Sequence, residues 1–122
     1  MSYLLDHTRR PDISFCRNGE IRITARVVRI LDLHPGDSVN IDHVGPEYYL
    51  YKAETADTFG GFHARCRPTK EGSRNFIAHS SRLVAALFAS AQVKTDKVSY
   101  FVVKPCECAG IVCVPIITRR PL

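Results

Sequence analysis

Asn18 to Lys52 reads NGEIRITARVVRILDLHPGDSVNIDHVGPEYYLYK, and the changes of period along it decide the fold. Glu20-Ile21-Arg22-Ile23-Thr24 alternates polar with apolar, the two-residue period of a strand buried on one face. Ile13 to Arg17, just upstream, is also strand-like. Asn18-Gly19 between them predicts a type I′ hairpin turn, with positive φ at both residues. From Ala25 to Leu33 the period lengthens. Val27, Val28, Ile30, Leu31 and Leu33 gather on one side at helical spacing, while Arg26 and Arg29 fall off it. His34-Pro35-Gly36-Asp37 stops that helix, because Pro cannot continue it and Gly admits a tight turn. Val39 to Asp42 is extended again, Gly45-Pro46 breaks it, and Tyr48 to Lys52 reads as the returning strand. The unit is strand, strand, short helix, strand, strand.

The same pattern recurs downstream. Thr55 to Gly61 reads as a connector, Phe62 to Arg67 as a strand, Pro68 to Gly72 as a polar turn and Arg74 to His79 as the next strand. Ser80 or Ser81 is placed to cap a helix running through Arg82 to Phe88. A shift of 54 residues sets Ile23 on Ile77, Leu33 on Leu87, Val39 on Val93, Asp42 on Asp96 and Val44 on Val98. A two-residue gap adds Tyr48 on Tyr100 and Lys52 on Lys104. This is a degenerate tandem duplication, with units of about 13–54 and 62–118. Val98 to Cys108 and Ile111 to Thr118 flank Ala109-Gly110, a tight hairpin. Pro115 favours an edge position for the last strand, since Pro donates no ladder hydrogen bond. Arg119 to Leu122 reads as a frayed end.

Composition narrows the classes. The 122 residues, 45% hydrophobic and 24% charged, suit one compact globular domain over residues 1–122 rather than a disordered tail or fibre. Leu83 to Val93 is too short to span a bilayer, and the N-terminus shows no secretory pattern, so a cytoplasmic protein is expected. The five cysteines, Cys16, Cys66, Cys106, Cys108 and Cys113, are odd in number and read as thiols in a reducing compartment. Cys106-Glu107-Cys108 with Cys113 lacks the paired knuckles of a zinc site, so buried strand cysteines are the commoner reading. His7, His34, His43, His63 and His79 are scattered through turns and strand ends, without ligand spacing. No metal and no cofactor are expected, and no catalytic residue, since nucleophile elbow, phosphate loop and paired carboxylates are all missing.

The net charge is +5, from 17 Lys+Arg against 12 Asp+Glu, and 12 of the 17 are Arg. Arg suits bidentate contact with phosphate. Residues 1–54 hold 7 basic and 8 acidic residues, whereas 55–122 hold 10 and 4, so the excess lies in the second half.

The ordered features of Asn18 to Lys52 resemble the AbrB/MazE-type swapped-hairpin domain: a turn glycine (Gly19), an alternating strand, a short basic helix, Pro35-Gly36-Asp37, an apolar strand and a final hairpin. The chain departs from that pattern with Glu20 after the turn glycine, Thr24-Ala25 at the corner before the helix, and Ala89-Ser90-Ala91 in place of the second Pro-Gly-Asp. The resemblance implies a mainly β (β-rich α+β) fold, a swapped-hairpin pseudobarrel of two tandem ββαββ units capped by two short helices. Both copies would lie in one chain, as in MraZ-like proteins. One unit of about 40 residues could hardly bury a core alone.

The implied function is a non-catalytic, DNA-binding transcriptional regulator contacting phosphates and base edges of double-stranded DNA, with a homodimer of fused pseudo-dimers as one assembly. By family position the contacts are Arg22, Arg26 and Arg29, then Arg74 and Arg82 in the second unit, with Arg65, Arg67 and Lys70 on its first strand and turn. An ordinary solvated polar face is the competing reading of these side chains. The alternative function is a protein-interaction or scaffold domain, or an antitoxin-like partner binder, that keeps the barrel without DNA. Tyr48, Tyr49 and Tyr51 read as core and cross-strand packing rather than a base-stacking platform.

Overall fold

The computed structural model describes residues 11–45, 47–53, 64–108 and 110–116, without the Cys108 side chain. The expectations for Pro46, for the connector at 55–61, for Phe62, for Ala109, for Arg119 to Leu122, and for His7 and His63 lie outside the described residues. Nine strands and two helices are described, in chain order β1 (Ile13–Cys16), β2 (Glu20–Ile23), α1 (Ala25–Leu31), β3 (Ser38–Val44), β4 (Glu47–Ala53), β5 (Ala64–Pro68), β6 (Phe76–His79), α2 (Ser81–Ser90), β7 (Lys97–Tyr100), β8 (Cys106–Cys108) and β9 (Ile111–Ile116). The fold is mainly β. The strands form one curled antiparallel sheet in the order β7-β1-β2-β6-β5-β3-β4-β9-β8.

Alternation sets what lies inside the curl. Ile13 and Phe15, Ile21 and Ile23, Ala64 and Cys66, Phe76 and Ala78, and Val98 and Tyr100 all point into one core. Val27, Val28 and Leu31 of α1 and Leu83, Val84, Leu87 and Phe88 of α2 complete it. α1 packs on β9 and α2 on β2, so both helices sit on the inner side. Among the described residues, no layer covers the outer side chains of β2, β6 and β5.

Four local expectations are corrected. The β1–β2 turn has three residues, and Gly19 alone has positive φ, with its N–H donating to the Cys16 carbonyl at 2.8 Å. That is the loop pattern in which a glycine follows a turn, not type I′. α1 ends at Leu31 rather than Leu33, because Asp32 turns left-handed at φ 53 and its N–H bonds back to Arg29 and Val28. The expected long strand at 98–108 is split. Beyond β7, Val102 makes an isolated bridge to Ile116, and Pro105 separates that bridge from β8. Finally, Pro115 is not on an edge, since β9 lies between β4 and β8. Its carbonyl accepts from Val103 at 3.0 Å, so the position lacking N–H faces away from β4 and no β4–β9 ladder bond is lost.

Tyr48 joins the core at 6% exposure, while Tyr49 and Tyr51, on the other face of β4, are half-buried. The 54-residue shift overlays Leu33 on Leu87, but here Leu87 lies inside α2 and Leu33 beyond α1. Leu33 N–H bonds to Val28 O just as Val93 N–H bonds to Phe88 O, both at 2.9 Å.

Asp12, 4% exposed, joins several elements. Its N–H donates to Tyr100 O at 3.0 Å and its carbonyl accepts from the Thr24 N–H and hydroxyl. Its carboxylate accepts from Val102 N–H at 2.9 Å and from Arg26 Nη1 at 3.1 Å to each oxygen. Asp12→Ala leaves the buried Val102 amide without this acceptor, so a loss of about 2 kcal/mol is expected. A urea midpoint shift at unchanged slope measures it. Gly19→Ala should cost more than Gly36→Ala, although both have positive φ. A Cβ at Gly19 meets His79 and Ser81 atoms at 2.9 Å, whereas one at Gly36 meets nothing within 4 Å. Thermal midpoints of the two variants rank them.

Candidate nucleic-acid interface

The outer face of the sheet is built by register. Ser99 opposes Ser14, Ser14 opposes Arg22, Arg22 opposes Ile77, and Ile77 opposes Arg67. One row therefore crosses β7, β1, β2, β6 and β5. A second row runs from Lys97 to Cys16 and from Glu20 to His79, joined where the Cys16 thiol donates to Glu20 Oε2 at 3.7 Å. Arg65, two residues before Arg67, shares its face and opposes Ser38. Arg22, Arg65, Arg67, His79 and Lys97 are all exposed. A groove of about 510 Å³ runs here, its lining including Glu20, Gly36, Arg65, Arg67, Ile77 and His79.

Glu20 is the one carboxylate in these two rows. It accepts from Arg22 Nε at 2.9 Å, and that bond holds its carboxyl below the usual range. Burial and the Glu20 charge push the Cys16 thiol up. His79 Nε2 lies 3.0 Å from Asn18 O, which anchors the ring over the β1–β2 turn. Cys66 points inward, and burial pushes its thiol up to about 12.

The sheet thus brings Arg22, Arg65 and Arg67 together and leaves the other sequence candidates elsewhere. Arg26 lies on α1 with its guanidinium on the Asp12 carboxylate. Arg29 is exposed in the last turn of α1, and Arg82 is exposed at the start of α2. Lys70 and Arg74 are exposed in the β5–β6 loop. That loop is folded on itself by Thr69, Ser73 and Asn75, and Asn75 Oδ1 caps α1 by accepting from Ala25 N–H at 2.8 Å. Lys97 and His79 join the face without being sequence candidates for it; an alternating outward position was the signal that could have found them. Arg17, also outside the candidate set, is a clamp: it donates to Thr95 O at 2.8 Å and lies 4.9 Å over the Phe88 ring.

Among the described residues, no group of three or more His, Cys, Asp or Glu is placed to hold a metal, and no helix is long and apolar enough to cross a membrane. Comparison with models of known protein families, with characterised proteins and with solved structures returned no match to this chain.

The turn that carries Gly36 is electrostatically set. Asp37 Oδ2 accepts from His34 N–H at 2.8 Å, with Lys52 Nζ at 3.6 Å. The His34 amide bond, then the charges of Lys52 and His34, hold the Asp37 carboxyl below its ordinary value. A depressed carboxylate adds stability above its unfolded value, near 3.9, and that stability is lost as pH falls through the lower, folded value. Asp37→Asn keeps an acceptor and removes the charge. It should be less stable than the parent at neutral pH, and the gap should close on acidification below about pH 4, as urea midpoints taken across that range would report.

Proposed function

We propose that this chain is a non-catalytic DNA-binding regulator that lays the outer face of β2, β6 and β5 against duplex phosphates. The observation that carries the reading is the row Arg22–Ile77–Arg67, with Arg65 and Lys97 beside it and Glu20 as the one carboxylate within the strand rows. Two strand spacings separate the backbones of Arg22 and Arg67, about 10 Å. Arginine side chains carried at that spacing suit phosphates flanking a groove about 12 Å wide.

The AbrB-like, fused-unit reading has its own support. The first strand of each half pairs with the third strand of the other: β1 with β7, and β5 with β3. The two second strands, β2 and β6, pair across the middle. Two interleaved hairpin units in one chain would have this connectivity. Thr24 and Ser80 stand at equivalent corners, and a left-handed residue follows each helix, Asp32 at the C-cap of α1 and Gln92 one residue past the Ala91 C-cap of α2.

A second reading, a protein-interaction module, is favoured by Val103, Ile111 and Val112, which stay 43%, 38% and 42% exposed near the β8 end of the sheet.

Fluorescence anisotropy with a labelled random-sequence duplex separates the two. Binding is expected at about 50 mM salt and should weaken steeply by about 200 mM. Arg65→Ala with Arg67→Ala should lower the slope of log affinity against log salt by about 0.9 for each phosphate no longer neutralised. Glu20→Gln should tighten binding by removing the opposing carboxylate. No anisotropy change at the lower salt would sink the DNA reading and leave the interaction module.

A further inference from the structure

We propose that Cys106 and Cys113 are a reversible redox site, oxidised by a peroxide to a cross-strand disulfide that ties β8 to β9. The two residues are direct partners in the β8–β9 ladder, with Glu107 opposite Val112 and Cys108 opposite Ile111. Directly opposed residues of antiparallel strands point to the same face, with Cα atoms about 4.5–5.5 Å apart. A disulfide spans Cα separations of about 4.4–6.8 Å. The hairpin register therefore sets the two Cα atoms at a separation a disulfide can span, with both side chains on one face. Both cysteines carry thiols in this structure.

The pair is asymmetric in a useful way. Cys106 is exposed, whereas Cys113 is 4% exposed with its thiol donating to Ile111 O at 3.5 Å. Peroxide therefore reaches Cys106 first. Its sulfur attacks one peroxide oxygen, the O–O bond breaks, and one water leaves as Cys106 becomes a sulfenic acid. Cys113 sulfur then attacks the Cys106 sulfur. The S–O bond breaks, the S–S bond forms, and a second water carries off the remaining proton. In sum two thiols and one hydrogen peroxide give one disulfide and two waters, and an external dithiol reverses the oxidation by exchange.

Position explains why this pair and not another. β8 is a three-residue strand at the end of the sheet, paired with β9 alone among the described strands, so it can adjust to the new bond without disturbing another described strand. Cys66 faces the core from β5 and is 1% exposed, and Cys16 lies on β1, near the other end of the sheet. The site is independent of the nucleic-acid reading, since β8 and β9 are remote from β2, β6 and β5 in the strand order.

Mass spectrometry tests it directly. After brief treatment with hydrogen peroxide and blocking of remaining thiols, the intact chain should be lighter by two hydrogen atoms before the mass of the blocks is added. Cleavage after Glu107 separates Cys106 from Cys113 in sequence, so the two pieces should stay joined until a dithiol is added. The bond should persist in Cys108→Ser and disappear in both Cys106→Ser and Cys113→Ser. Loss of the bond in Cys108→Ser overturns the proposal, as does a link to a second chain or an unlinked pair in excess peroxide. The exposed Cys106→Ser change, and mapping of the unmodified chain itself, keep the test decisive if Cys113→Ser does not fold.

Discussion

The buried carboxylate of Asp12 is the contact on which the rest of the sheet depends. A carboxylate removed from water is costly unless charge and hydrogen bonds replace its hydration. Here Arg26 supplies the charge and Val102 N–H a second donor. Each partner comes from a different part of the chain. Arg26 belongs to the first turn of α1, and Val102 lies two residues beyond β7 and bridges to Ile116 of β9. Satisfying one side chain therefore orients the helix that covers the core. It also holds the segment through which the β7 end of the curled sheet reaches back to β9.

That constraint has a functional consequence. Arg26 is committed to Asp12, and Arg17 to the α2–β7 segment, so charge count alone overstates what is left for a partner. The helices fill the inside of the curl. Among the described residues nothing lies over the outward positions of β2, β6 and β5, and polar side chains there must be solvated or paired. Arg22 is paired with Glu20, but both lie at the surface, where such a pair contributes little to stability. It is better regarded as one charge held near another than as part of what keeps the chain folded.

Much of the architecture was legible because alternation and helical period survive in short windows. Ile21 and Ile23, Val27, Val28 and Leu31, and Leu83 through Phe88 all bury the sides their spacing indicates. What was not legible lies in turn geometry and in pairings between distant strands. At the β1–β2 turn Gly19 takes the positive φ its sequence signals but Asn18 does not, so the turn type was missed. The turn at Asp32 is closed by a left-handed Asp where a Pro-Gly signal pointed further on. Pro115 sits inside the sheet because register turns its missing N–H away from β4, and no local pattern encodes that. For the site, Arg22, Arg65 and Arg67 were visible as outward strand residues. Their meeting depended on β2 pairing with β6 and β6 with β5, a pairing between halves of the chain.

The same pairing resolves the uneven charge of the sequence. The first half is close to neutral and the second carries the cationic excess, which would leave a lopsided surface if each half folded as a separate block. Because β2 lies directly beside β6, Arg22 of the first half joins Arg65, Arg67 and Lys97 of the second on one face. Pairing between strands of the two halves thus sets Arg22 on one face with three of the second half's cations, while Lys70, Arg74 and Arg82 lie elsewhere. Glu20 sets a carboxylate among the cations of that face, bonded to Arg22 at 2.9 Å. The cationic character of this face then depends on the sheet pairing as well as on the composition of the second half.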